Sequence, residues 1–211
     1  KAVEGALASK FRNAGQTCVC ANRFYAQEGI YDAFVAKLAA ATAALKLGNG
    51  MEPGSQIGPL INEAAVGKVR EHIDDALGKG ARIEAGGDIA VPGSRFFAPT
   101  VLSGVTADMK VTREETFGPL AAVVRFDSEE SVIRMANDTE FGLAAYFYAR
   151  DMSRVWRVAE GIEAGMIGVN TGLISTEVAP FGGVKASGLG REGSRYGIDD
   201  YLEMKYVCLG I

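Results

Sequence analysis

Two periods of apolar and polar positions alternate along the 211 residues. Val3 to Arg12, with Leu7 and Phe11 among small alanines, predicts a helix, and Asn22 to Gln27 predicts a strand. Tyr31, Phe34, Val35, Leu38 and Leu45 keep helical spacing through an alanine-rich stretch that stops near Gly48. A turn-rich passage from Gly48 to Pro59 leads to another helix, capped by Asn62 and stopped by Gly78. Its apolar stripe reads Val66, Val69, Ile73 and Leu77, and His72 falls off that stripe, which predicts a solvated surface position. Ala81 to Ala85 and Phe96 to Leu102 read as short extended pieces separated by the turn signals Gly86-Gly87 and Pro92-Gly93. Leu120 to Phe126 is almost continuously apolar, the pattern of a strand buried on both faces. Ser128 is expected to cap a helix carrying Val132, Ile133 and Ala136, and Ser153 one carrying Val155, Trp156, Ala159 and Ile162. Ala144 to Ala149 and Met166 to Asn170 read as strands. From Tyr201 to Leu209 the chain alternates, which places Leu202, Met204, Tyr206 and Cys208 on the buried face of a strand able to pair with another subunit.

Strand-helix alternation of this kind predicts an α/β fold, a largely parallel open sheet with helices on both faces. Reactive groups in such sheets gather in loops beyond the strand ends. Cys18, Phe117, Asn170 and Phe181 all fall there.

Composition narrows the function. At 48% hydrophobic the chain can bury one sizeable core. A net charge of -4 without a basic stripe argues against nucleic acid. No apolar run approaches the roughly 18 residues of a membrane span, and no signal-peptide pattern precedes the first helix. Three cysteines without a disulfide framework fit a reducing cytoplasm. With one His and no second ligand pair to accompany Cys18-Val19-Cys20, a metal site is not expected. A surface His72 also removes a Cys-His catalytic pair, so a nucleophilic Cys would need another activator.

Two stretches invite chemistry. Gly15-Gln16-Thr17-Cys18-Val19-Cys20 lies at a helix-loop-strand junction. On the residues alone, Cys18 is either a small buried hydrophobe or a nucleophile to which Gly15 allows close backbone approach. The second stretch, Phe181 to Gly193, holds a literal G-x-G-x-x-G at 188, 190 and 193. No strand leads into its first glycine and too little chain follows for a β-α-β unit, so a dinucleotide reading fails. A tight loop packed under the reactive centre is the reading that remains.

Taken together, Gly15 to Cys18, Glu114-Glu115-Thr116-Phe117-Gly118-Pro119, Asn170, and Pro180-Phe181-Gly182-Gly183-Val184-Lys185-x-Ser187-Gly188 resemble, in that order, the catalytic half of the NAD(P)-dependent aldehyde dehydrogenase family. The resemblance runs over essentially the whole chain. Phe11-Arg12-Asn13-Ala14, Cys20 and Gly172-Leu173-Ile174-Ser175 are most similar to the branch that oxidises succinate semialdehyde.

The resemblance implies that the Cys18 thiolate attacks the aldehyde to form a thiohemiacetal, stabilised by backbone N–H donors and an Asn amide outside this chain. Hydride transfer to the nicotinamide of NAD or NADP then leaves a thioester for hydrolysis. It further implies that Glu115 holds the nicotinamide ribose and Phe117 packs beside that ring. Read alone, Glu115 is a solvated acid in an acidic run. For substrate, the family pattern makes Arg12 and Ser175 ligands of a distal carboxylate and Phe181 a wall of the aldehyde pocket. Read alone, Arg12 is a cation at a helix C-terminus. Cys18 and Cys20 would form a strained, readily reduced pair.

By the same resemblance, the cofactor domain and the Glu that activates water for deacylation precede the catalytic Cys, and neither lies in this chain. Residues 1–197 are thus expected to form the catalytic domain and 198–211 an oligomerisation strand, in a homodimer or homotetramer when complete. Two alternatives are a dehydrogenase for another short semialdehyde, such as glutarate semialdehyde, and a truncated, non-catalytic assembly partner.

Overall fold

The computed structural model describes residues 1–211. Its elements in chain order are α1 (Ala2–Lys10), β1 (Arg23–Gln27), α2 (Tyr31–Ala43), α3 (Glu63–Gly78), β2 (Arg82–Ala85), β3 (Thr100–Ser103) and α4 (Lys110–Arg113). There follow β4 (Leu120–Phe126), α5 (Glu129–Asn137), β5 (Phe141–Gly142), β6 (Ala144–Phe147), α6 (Met152–Gly161), β7 (Met166–Val169) and β8 (Val184–Lys185).

The apolar run of β4 explains the centre of the molecule. Leu120 to Val124 are all buried, because β4 has a parallel neighbour on each side in the order β1-β4-β3-β2. Arg23 pairs with Ala122 and Thr100 with Leu120, while β2 runs antiparallel to β3 at the edge. At roughly 1.5–3 kcal/mol per fully buried aliphatic side chain, this strand is a principal source of stability. Tyr31, at the start of α2, locks the helix onto the sheet. Its hydroxyl donates to the Val123 carbonyl at 3.1 Å and accepts from the Gly104 N–H at 2.8 Å.

The predicted α/β class, with mostly parallel strands, holds. The sheet, however, is in pieces: β6 and β7 form a separate parallel pair, and β5 and β8 an antiparallel one. An open edge of β1 and residues of β6 face each other across a cleft of about 660 Å³. No helix is long and apolar enough to cross a membrane.

Local signals fared unevenly. The Asn62 side chain accepts from Ala65 N–H at 2.9 Å and starts α3 as expected. Ser128 and Ser131 form a reciprocal capping box on α5, a motif worth about 1 kcal/mol. Asp151, not Ser153, caps α6: it precedes the first helical residue and accepts from Arg154 N–H at 2.7 Å, which leaves Ser153 inside the first turn.

The tail also departs from its pattern. Beyond Tyr201 no residue forms a strand, and Leu202, Met204, Tyr206 and Cys208 are exposed. Alternation alone does not bury a face. A strand needs a partner, and no edge of its own chain pairs with this segment.

His72 departs most. It is 0% exposed, bonded through Nδ1 to Thr116 Oγ1 at 3.0 Å and through Nε2 to Glu114 Oε2 at 3.4 Å. The buried stripe of α3 runs Val66, Val69, His72, Ile73 and Ala76, whereas Leu77 is 39% exposed. The core-facing line is turned by one residue from the one expected, and His72 lies within it.

Candidate active site

Helix α1 ends at Lys10, and the next turn is wound the wrong way for L-residues. Asn13, Ala14 and Gly15 all have positive φ, at 49°, 55° and 77°. Only glycine fits the last of these. A Cβ on Gly15 would lie 2.1 Å from the Gly118 carbonyl oxygen, so the loop before Cys18 and the loop after Phe117 touch backbone to backbone.

Gln16 then pins the turn. Its Oε1 accepts from Ile61 N–H at 2.8 Å, and its Nε2 donates to the Asn13 carbonyl at 3.2 Å. Thr17 to Cys20 closes a turn by a 2.9 Å bond from Cys20 N–H to the Thr17 carbonyl. Val19 is buried, at 2% exposed, and anchors that turn, while Cys18 beside it is exposed. The Val19 carbonyl accepts from the Tyr146 hydroxyl of β6 at 2.9 Å. Burial pushes the Tyr146 phenol up to about 12, so it stays a proton donor to this carbonyl. The N–H of Cys18 is spent on no carbonyl of the chain.

Asn22 joins the Glu114 to Phe117 loop to the start of β1. Its Nδ2 donates to the Val111 and Glu114 carbonyls at 2.9 and 3.1 Å, and its Oδ1 accepts from Thr116 N–H at 3.1 Å. Phe117 is held at φ 53°, and Glu115 is exposed with no hydrogen bond from its carboxylate to the chain. The carboxylate is therefore a free double acceptor.

Of the residues singled out from the sequence, Cys18, Cys20 and Glu115 line the same cleft. Arg12 lies beside it. The Cys20 thiol donates to the Arg12 carbonyl at 3.7 Å, and Arg12 is close enough to Tyr146 to draw that phenol's pKa down against burial. Arg12 Nε is buried without a hydrogen-bond partner. Such an orphan donor is costly unless a ligand satisfies it. Ser175 is exposed and bonded to neither Arg12 nor Cys18, although Gly172, at the start of its loop, packs against the Gly5 backbone of α1. Phe181 lines a second, smaller cavity with Ile174 and Val169. No cluster of three His, Cys, Asp or Glu side chains could hold a metal.

Three site residues escaped the sequence reading. Asn22 and Tyr146 act through tertiary partners that no local pattern reveals. Lys10 is 1% exposed, and burial lowers its pKa to about 8 against the pull of Cys20 and Glu115. Its position on the inward side of α1 was the available signal.

Residues 1–207 match the model of the aldehyde dehydrogenase family. The chain is 66% identical over 211 residues to the NADP(+) succinate-semialdehyde dehydrogenase of Escherichia coli, covering 100% of this chain and 44% of that protein. It is 65% identical to the glutarate-semialdehyde dehydrogenase of Pseudomonas putida, with the same coverage of 100% and 44%. It is 68% identical over 209 residues to a 3-sulfolactaldehyde dehydrogenase of Pseudomonas putida, covering 99% of this chain and 43% of that one. The crystal structure of succinate-semialdehyde dehydrogenase from Burkholderia pseudomallei superposes with a TM-score of 0.97 at 66% identity, over 100% of this chain and 44% of that one. The chain thus spans less than half the length of these relatives.

Proposed function

The chain belongs to the aldehyde dehydrogenase family, and from that premise we propose that it is the nucleophile-bearing part of an enzyme oxidising a short aldehyde with a distal anionic group, succinate semialdehyde first. The observation that carries the proposal is Cys18, exposed at the tip of a turn whose every other anchor is internal, on the cleft that Glu115 also lines.

In this reading the Cys18 sulfur adds to the aldehyde carbonyl and its own N–H donates to the developing oxyanion. Tyr146, through the Val19 carbonyl, keeps the turn from yielding as charge develops. A bound NAD(P)+ supplies the hydride acceptor. The free carboxylate of Glu115 holds its ribose and Phe117 borders the ring, while the choice between NAD and NADP lies with residues outside this chain. The Arg12 guanidinium, beside the cleft, recognises the distal anion, and Ser175 and Phe181, which lie outside the cleft of Cys18, are assigned to the same substrate on the family pattern alone. The names of the relatives favour this substrate class, since succinate semialdehyde, glutarate semialdehyde and 3-sulfolactaldehyde all carry an anion away from the aldehyde. Residues 1–197 form the catalytic domain and 198–211 an oligomerisation strand in the complete assembly.

The test is made in the complete enzyme. Cys18→Ala abolishes aldehyde oxidation and Cys208→Ala preserves most of it. Arg12→Ala lowers kcat/KM for succinate semialdehyde by about 2–4 kcal/mol and for butanal far less, the scale of truncating a buried charge partner. Equal losses on the two aldehydes would make Arg12 a support of the loop, and turnover by Cys18→Ala would end the proposal. A non-catalytic assembly partner would show no turnover even unsubstituted. Comparing kcat/KM for succinate and glutarate semialdehyde ranks the two substrates.

Cys20 is proposed as a resolving thiol for Cys18. Closing that bond breaks the contact of Cys20 with the Arg12 carbonyl and strains the turn. Peroxide inactivation should be reversed by dithiothreitol in the parent and not in Cys20→Ala, where Cys18 over-oxidises. Equal recovery in both would remove the switch.

A further inference from the structure

Helix α3 carries none of the groups assigned so far, yet it is wired to the whole segment that leads into the Glu115 loop. The carboxylate of Asp75 accepts from Lys110 N–H at 2.8 Å, Lys79 Nζ donates to the Asp108 carbonyl at 2.6 Å, and Glu71 pairs with Lys110. Val69 lies so close under the loop that a Cβ on Gly118 would come within 2.4 Å of it.

At the centre of this contact is His72. Both its ring nitrogens are used, and both partners flank the same residue: Thr116 on one side of Glu115, Glu114 on the other. The protons can be assigned. A carboxylate only accepts, so Nε2 carries the hydrogen given to Glu114. A neutral ring then leaves Nδ1 as acceptor, and the Thr116 hydroxyl donates to it. Burial, which favours the uncharged ring, agrees with this tautomer. Thr116 is itself 2% exposed, so its hydroxyl is committed to the imidazole.

We propose that His72 is a positioning residue for the cofactor loop: by gripping Glu114 and Thr116 from beneath it fixes the backbone of Glu115 to Phe117, and so sets the affinity for the nicotinamide cofactor. The proposal rests on the reading of Glu115 and Phe117 as cofactor contacts. The alternative is that His72 only fills the core. That alternative does not explain why both nitrogens meet side chains of this loop, nor why Phe117 holds a left-handed backbone conformation directly after Thr116.

The experiment uses the full-length enzyme, with direct titration of NADP+ and NAD+ by calorimetry and, separately, the rate of Cys18 alkylation by iodoacetamide. Thr116→Val keeps the shape and removes the hydroxyl, and His72→Phe removes both ring partners. Each should weaken cofactor binding about ten-fold, the scale of one buried polar group left unpaired. KM for succinate semialdehyde and the alkylation rate should stay within about two-fold of the parent, too small a change to register as a lost hydrogen bond. The double variant should bind no more weakly than His72→Phe alone, because the two changes cut one connection. If His72→Phe does not fold, Thr116→Val decides the matter. Unchanged cofactor affinity in Thr116→Val, or equal losses in cofactor binding, aldehyde KM and alkylation, would overturn the proposal. Glu115→Gln separates the two readings. If it leaves cofactor binding intact, the assignment of Glu115 itself fails. If it weakens binding while Thr116→Val does not, only the role of His72 fails.

Discussion

A buried imidazole makes folding depend on pH, and here the dependence can be isolated, because His72 is the chain's only histidine. Burial lowers its pKa and Lys68 lowers it further, while Glu114 in the loop and Glu71 on the same helix raise it. The net direction is down. An unfolded His titrates near about 6.5, so below that pH the unfolded chain takes up a proton that the folded chain refuses. Stability is therefore complete above about pH 6.5 and is lost as pH falls toward the folded value, by at most about 1.4 kcal/mol per pH unit. Melting temperatures of the parent and His72→Gln between pH 7 and pH 5 check this: the parent should fall more steeply, and parallel curves would refute it. The sequence held part of this information. Val69, His72, Ile73 and Ala76 are spaced as one helical face, but a polar residue at the border of a stripe is assigned outward unless its partners are known. Those partners, Glu114 and Thr116, are more than forty residues away. The roles proposed for Cys18 and Glu115 came by another route, from short motifs that resemble a known family, because on residue type alone Cys18 is equally a small buried hydrophobe and Glu115 a solvated acid.

Among the elements, the turn between α1 and β1 carries the proposed nucleophile, Cys18, and the least regular backbone. Gly15 is required twice, by its φ of 77° and by the Gly118 carbonyl that a Cβ would strike at 2.1 Å. Gly15→Ala must push the Cys18 turn and the Glu115 loop apart. In the complete enzyme it should lower kcat/KM about a hundred-fold, the effect of misplacing reactive groups by roughly 1 Å. The alkylation of Cys18 should slow in step. Gly29 is the matched control, because a Cβ there meets nothing within 4 Å and its backbone is not left-handed, so Gly29→Ala should cost little of either. Full activity in Gly15→Ala would mean that the two loops are not held in register by their contact. Regular elements were easier to read than this turn: the apolar run of β4 and the caps Asn62 and Ser128 are local and sufficient. Strand ends were not, since what pairs with an edge is decided by chain far off in sequence, as Arg23 pairs with Ala122.

For the molecule as a whole, the cleft between β1 and β6 decides what the 211 residues can do by themselves. Two parallel-paired strands, of a kind whose faces are normally covered, here border an open space of about 660 Å³ with a mostly apolar lining. Such a surface is costly to leave in water and is a template for wrong pairing. The chain also spans only 44% of the succinate-semialdehyde dehydrogenase of Escherichia coli. Glu115 and Phe117 could touch a nicotinamide, but the adenosine and phosphates of the cofactor would find no nucleotide-binding β-α-β unit among these residues. Remote binding energy of that kind is what supports turnover at useful cofactor concentrations. Thiol chemistry asks for less: exposure and a fixed turn, both of which Cys18 has. The isolated 211-residue chain should therefore be alkylated at Cys18 by iodoacetamide, bind an apolar dye such as ANS at the open cleft, and reduce no NAD(P)+ with succinate semialdehyde. In the longer protein the dye signal should vanish and reduction appear. Cofactor-saturable turnover by the isolated chain at about 1 per second or more, an ordinary enzymatic rate, would show that the residues needed for hydride transfer and deacylation all lie within it.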